Sequence, residues 1–182
     1  MKILNVAIFG TGWAAEAHFK TIKRMNKFKV CCVFGRNKER LKTIRKKWNV
    51  TIYNSKKELF LNEKIDVVLV ANQNSFHYQD AFYALKKGIN VVLEKPTSTS
   101  FYNSKKLVDY ALKKKLKISV VMQRRFDASS DYLKYLIQKK IGKIILIKLN
   151  IFMHRDHKYF DKLKWLKEKK KSGGGILIHH AI

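Results

Sequence analysis

Gly10, Gly12 and Ala15 stand in "VAIFGTGWAAEAHF" at a spacing that admits a pyrophosphate to the main chain. Phosphate oxygens are held by backbone N–H groups at a helix N-terminus, and side chains there keep the backbone away. Gly10 serves the tight turn after a strand from Val6 to Phe9, Gly12 lets the main chain approach, and Ala15 lets the helix pack on the strand. Thr11, Trp13 and Ala14 belong to the same loop and are counted as cofactor-binding with it. An ordinary tight turn is the competing reading of such a triplet, and its place between a strand and a helix favours the phosphate. A second strand that grips the ribose of NAD ends in an acidic residue roughly 20 residues further on. This one ends in "VFGRNKER", where Gly35 occupies the acidic position and Arg36 follows. The expected cofactor is therefore NADP, with NAD the alternative. Arg36 either meets a 2′-phosphate, or stacks on the adenine or faces solvent.

The elements that must carry this loop are legible as periodicities. Short apolar runs alternate with longer stretches of helical period, the pattern of a βαβ fold with a parallel sheet. Val30 to Phe34, Val67 to Val70, Val91 to Leu93 and Ile118 to Val121 are continuously apolar, as strands covered on both faces must be. Between them Leu41, Ile44 and Trp48 repeat at helical spacing, as do Leu107, Tyr110 and Ala111. Ala81, Ala84 and Leu85 line a further helix that Gly88 ends. The expected class is α/β, a doubly wound parallel Rossmann sheet over residues 1–124. From 125 to 182 the pattern predicts the start of a second, α+β domain with an open, mainly antiparallel sheet. There a helix with Leu133, Leu136 and Ile137 leads through Gly142 into "KIILIKLNIFMHR". Ile145, Ile147, Leu149 and Ile151 share one face of that expected strand, with Lys148 and Asn150 on the other. The chain stops soon after Gly173, Gly174 and Gly175, inside an apolar segment with no turn or cap, and reads as the N-terminal portion of a longer protein.

Charge is the largest compositional bias, 40 Lys+Arg against 13 Asp+Glu for a net +27. Such a surplus suggests nucleic acid. Lys far outnumbers Arg here and is scattered over helix faces and loops, whereas base readout favours the planar Arg fork. A solvated surface is the preferred reading, with no specific nucleic-acid partner. No apolar run nears the ~20 residues of a membrane-spanning helix, and Met1 leads straight into a strand. A cytoplasmic protein with no membrane partner is expected. Cys31 and Cys32 are neighbours in an apolar run and read as buried, reduced thiols without metal-site spacing. His154 and His157 read as loop residues, and no metal site is expected.

The stretch "NQNSFHYQDAFYALKKGINVVLEKP" adds a strand-end loop with Asn74 and His77, then Glu94, Lys95 and Pro96 closing the next strand. Together with "GTGWAAEAHF", the "RRF" of Arg124 to Phe126, "HRDHKYF", Trp165 and "GGGILIHHAI", it resembles the Gfo/Idh/MocA oxidoreductases. That family's loop reads Thr-Pro-Asn-x-x-His, and here Asn72 and Gln73 replace its Thr and Pro. The resemblance implies a nicotinamide-dependent dehydrogenase or reductase acting on a sugar, sugar nucleotide, inositol or related polyol. It further implies a homo-oligomer when full length, cofactor contacts at Asn72, Asn74, His77, Glu94 and Lys95, and substrate contacts at Lys95, Arg124, Arg155, Tyr159 and His179. His179 departs from the carboxylate or amide that the family carries at its position. It either bonds the substrate or acts as the acid/base itself, and His180 reads as packing.

Moving hydride from a carbinol carbon requires the hydroxyl proton to leave with it. Lys95, at the C-terminal edge of a parallel strand, points to the crevice where doubly wound sheets bind ligands, and its ammonium polarises a carbonyl or relays a proton. A surface lysine at a strand end is the bland alternative. Glu94 either tunes Lys95 or fixes the loop backbone. The rival reading from another class is a cofactor-binding protein without turnover.

Overall fold

The apolar runs become a six-stranded sheet in the computed structural model, which describes residues 2–175, 177 and 178. Its strands are β1 (Leu4–Phe9), β2 (Phe28–Phe34), β3 (Thr51–Tyr53), β4 (Val67–Val70), β5 (Asn90–Leu93) and β6 (Ile118–Val120). They lie in the order β3-β2-β1-β4-β5-β6, and every neighbouring pair is parallel. Parallel neighbours need crossovers, supplied by α1 (Trp13–Ile22), α2 (Lys38–Trp48), α3 (Lys56–Asn62), α4 (Asn74–Lys86) and α5 (Phe101–Lys113). The sheet order reverses between β1 and β4, which opens a crevice beyond their C-terminal ends.

Both faces of the sheet are covered, so alternate strand residues enter different cores. Ala7, Phe9, Val68, Val70, Val91 and Leu93 pack with Leu59 of α3, Ala81 and Leu85 of α4, and Leu107 of α5. Val6, Ile8, Val33 and Leu69 pack on the other side with Ala15 and Ile22 of α1 and Leu41, Ile44 and Trp48 of α2. The helix starts follow local chemistry: the Asn37 side chain accepts from the Arg40 amide at the start of α2, and Ser55 does the same for Glu58 at α3. Gly88, at φ +76°, ends the turn after α4 as its position implied.

Beyond Phe126 the expected helix forms as α6 (Ala128–Leu136) and buries none of its residues. The strand expected over 143–155 does not form among the described residues. Ile145, Ile147 and Leu149 are 96%, 74% and 74% exposed. Period-two alternation makes a strand only where another strand offers its amides and carbonyls, and no strand among the described residues pairs with this segment. The chain then returns through α7 (His157–Lys162) and a 3-10 turn, Lys164–Lys167, to the N-terminus of α4. There Asn74 Nδ2 donates to Ser172 O at 2.8 Å, in a buried contact. No described helix is long and apolar enough to cross a membrane.

Candidate functional site

The loop from β1 to α1 sits at the crevice. Gly10 takes φ +147°, and a Cβ there collides with the backbone of Ala71 beyond β4. Its glycine is dictated by the closeness of two strand ends. Gly12 is different: a Cβ at that position meets nothing within 4 Å. Gly12 is also the N-cap of α1, and no side chain caps the helix there. The first intrahelical bond runs from Glu16 N to Gly12 O, which leaves the amides of Trp13, Ala14 and Ala15 without intrahelical partners. Ala15 is fully buried beneath them. Uncapped amides facing open space at a helix start form an anion site of the kind that a pyrophosphate needs.

A cleft of about 370 Å³ extends from this loop along the end of β2, and Thr11, Trp13, Gly35, Arg36 and Asn72 line it together. Asn72 Oδ1 is buried in its wall with no hydrogen-bond partner among the described residues. An orphaned acceptor beside an uncapped helix suits a ligand that brings both phosphate oxygens and hydroxyl donors. A nicotinamide dinucleotide does so, and the residues present fit it.

The Gly35–Arg36 pair does more than the sequence suggested. A Cβ on Gly35 stands 2.6 Å from Thr11 Cγ2 and 3.1 Å from Leu41 Cδ2, so an acidic side chain there would have to displace both. Arg36 is not an open cation. Both terminal nitrogens bond Asp80 at 2.9 Å, and its guanidinium carbon lies 3.8 Å from the Phe76 ring centre. Asp80 is fully buried in α4 and also accepts from Lys56 at 2.7 Å and Asn72 at 2.6 Å. One carboxylate thus ties the loop after β2, α3, α4 and the loop after β4 together. Asp80→Asn is expected to cost about 3 kcal/mol in urea unfolding, the low end for a broken buried pair because Arg36 and Lys56 retain some access to water. A loss below about 1 kcal/mol would show that the cations hydrate freely without their acid.

Asn74 and His77 lie behind the cleft. His77 bridges Pro96 O at 2.7 Å and Asn72 O at 3.0 Å, tying the loop after β5 to the loop after β4. Burial draws its pKa below the usual histidine value, against the pull of both carbonyls. Glu94 accepts from the Lys95 amide at 3.2 Å through one oxygen, while the other lies 2.7 Å from His18 Nε2 on α1. Helix α1 and the Lys95 loop are therefore mechanically joined. Half-buried Lys95 lines a second cleft, of about 540 Å³, with Arg124, Arg125 and Lys134. Arg124 pairs with Asp127 at 3.0 Å, whereas Arg155 stacks over Tyr159 and neither of those lines either of these two clefts. His179 and His180 lie outside the described residues. Among the described residues no group of acids, histidines and cysteines can hold a metal.

Four residues went unassigned in the sequence. Nothing in the sequence assigned a role to His18, Asp80 or Arg40. Trp165 was part of a motif, yet only the chain's return places it and Leu163 on the cleft beside Gly12.

A family model described as an oxidoreductase family with an NAD-binding Rossmann fold, that of the Gfo, Idh and MocA proteins, matches residues 4–122. An uncharacterized oxidoreductase of Schizosaccharomyces pombe is 28% identical over 182 residues, covering 97% of this chain and 48% of its own. Inositol 2-dehydrogenase of Acidiphilium cryptum is 27% identical over 149 residues, covering 79% of this chain and 44% of its own. The crystal structure of the WlbA dehydrogenase from Bordetella pertussis, in complex with NADH and UDP-GlcNAcA, matches with a TM-score of 0.92. That match covers 99% of this chain and 52% of the other at 22% identity, and it bears on the fold alone. The chain spans about half the length of the curated relatives it matches.

Proposed function

The chain belongs to the Gfo/Idh/MocA oxidoreductase family, and from that premise we propose that the full-length protein transfers hydride between NADP(H) and a sugar, sugar nucleotide or related polyol. The observation that carries this reading is the position of Lys95, beyond β5 at the C-terminal edge of the sheet, on a cleft beside that of the phosphate loop. A bound nicotinamide supplies the hydride acceptor or donor. The amides that open α1 hold the pyrophosphate, and Asn72 Oδ1 accepts a hydroxyl. The Lys95 ammonium sits where the reacting oxygen gains or loses its proton, with Glu94 and His18 fixing the main chain beneath it. Arg124 faces the same cleft and contacts substrate. Arg155 and Tyr159 are substrate residues by family resemblance, and His179, which stands where the family carries a carboxylate or amide, either bonds the substrate or acts as an acid/base. The oligomer of a complete, cytoplasmic protein covers the exposed Ile145 face. Turnover of NADPH or NADP by the full-length enzyme against a panel of polyols and sugar nucleotides tests the reading. Tight cofactor binding with no turnover on any member would leave a binding protein instead.

NADP is preferred for a reason that shifts from Arg36 to Arg40. The Arg36 fork is held by Asp80, an acid it shares with Lys56, whereas Arg40, in the first turn of α2, lines the same cleft. Arg40→Ala is expected to weaken NADPH by about tenfold, roughly 1.4 kcal/mol, and to leave NADH nearly unchanged. Parallel titrations with the two cofactors read this directly, and an equal loss for both would remove Arg40 from the 2′-phosphate.

A further inference from the structure

Neighbouring residues of a strand point to opposite faces, but Cys31 and Cys32 do not. Between Val6 and Ala7 the β1–β2 register slips, so that Val6 pairs with Val30, Ala7 pairs with Cys32, and Cys31 is the extra residue of a bulge. The core assignments show the result. Val30 and Val33 pack on the α1 and α2 side, whereas Cys31, Cys32 and Phe34 all pack on the α3 side. The two sulfurs stand 3.7 Å apart on one face, with Cys31 half-buried and Cys32 fully buried.

We propose that this bulge builds a dithiol chelating site for a trivalent arsenical. Adjacent cysteines are poorly placed for a mutual disulfide, whose sulfurs must close to about 2.05 Å and whose Cα atoms usually lie about 4.4–6.8 Å apart. A single pyramidal, thiophilic atom bridges them without that closure, because it takes two sulfurs at a narrow angle. A linear two-coordinate ion needs them further apart. Hydrated phenylarsine oxide, C6H5As(OH)2, condenses with both thiols, forming two As–S bonds and breaking two As–O bonds. The thiol protons leave with the hydroxyls as two waters, and arsenic stays trivalent. Cys31 reacts first, being the more accessible, and the Cys32 sulfur closes the ring. The pair is electronically unequal in the same sense: contact with Cys32 draws the Cys31 thiol down, while the Cys31 sulfur, and then burial, push the Cys32 thiol far up. Neither cysteine lines the dinucleotide cleft.

Native mass spectrometry of the intact protein with phenylarsine oxide tests this. A single adduct is expected, undiminished by saturating NADPH and removed by 2,3-dimercaptopropanol but not by excess monothiol. Cys31→Ser and Cys32→Ser should each convert it to a weak adduct that monothiol strips. An adduct on the unsubstituted protein that monothiol removes, or one formed only in denaturant, would overturn the site without recourse to either variant. Equal retention in both serine variants would do the same.

Discussion

Lys95→Met in the full-length enzyme is expected to abolish nearly all turnover while NADP(H) affinity stays within a few fold. The side chains separate the two functions. Gly12 and the uncapped start of α1 flank the dinucleotide cleft, whereas Lys95 belongs to the second cleft with Arg124 and Met122. Methionine keeps the unbranched stem and deletes the ammonium. A positioned acid/base typically contributes about 10²–10⁴ in rate, roughly 3–5 kcal/mol of transition-state stabilisation, so kcat should fall by that factor. Fluorescence titration and steady-state rates on the same preparation decide the matter. Near-normal kcat would make Lys95 a surface residue. Lost cofactor binding would place it in the assembly of the nucleotide site, a role that its loop's links to His18 and His77 make physically accessible.

Legibility in the sequence followed the range of the forces involved. Val67 to Val70 and Val91 to Leu93 announce themselves because a strand covered on both faces must be apolar at every position, and nothing distant changes that requirement. The turn from β1 into α1 was legible for the same local reason. Gly12 is small because a helix start must be open, and Ala15 because a helix must touch a strand. β3 is only Thr51–Tyr53, too short for a periodicity, and it forms because β2 already offers an edge. The segment around Ile147 shows the converse, with a strand's alternation and no strand, since pairing depends on a partner that its own residues cannot provide.

The site was less legible than the fold, and Asp80 explains why. An acid in the middle of "HYQDAFYALKK" reads as a solvated helix face. It is buried only because Arg36, Lys56 and Asn72 converge on it, from separations of 44, 24 and 8 residues. Burying that carboxylate without them would be prohibitive. The same convergence places Arg36 against protein, its fork bonded to Asp80 and its guanidinium over Phe76. Residue type at a strand end showed that a cation was present, but not where its charge was spent. Cys31 and Cys32 were read as buried thiols, which they are to differing degrees. The bulge that turns both to one face is a register property of two strands and is absent from either alone.

The glycines of the phosphate loop should respond oppositely to the same substitution. Gly10→Ala places a methyl against the Ala71 backbone, with Ala71 C only 2.7 Å away, at a φ of +147° that L-residues rarely adopt. Neither strand end can retreat, because Gly10 N is bonded to Phe34 O at 3.0 Å and Ala71 N to Phe9 O at 2.8 Å. The expected cost is about 4 kcal/mol or more, enough to unfold a marginal domain. Gly12 has φ −95° and ψ −172°, a conformation open to alanine, and no neighbour to displace. Gly12→Ala should therefore change stability by no more than about 0.5 kcal/mol. Its methyl instead enters the space that the phosphates need, and NADPH affinity should fall about 10–100-fold, roughly 1.4–2.8 kcal/mol. Urea unfolding and cofactor titration on the pair separate packing from binding. A Gly12→Ala protein that binds NADPH normally would move the pyrophosphate away from the start of α1. A Gly10→Ala protein of ordinary stability would mean that the β1 and β4 ends are less closely apposed than their backbone contacts require.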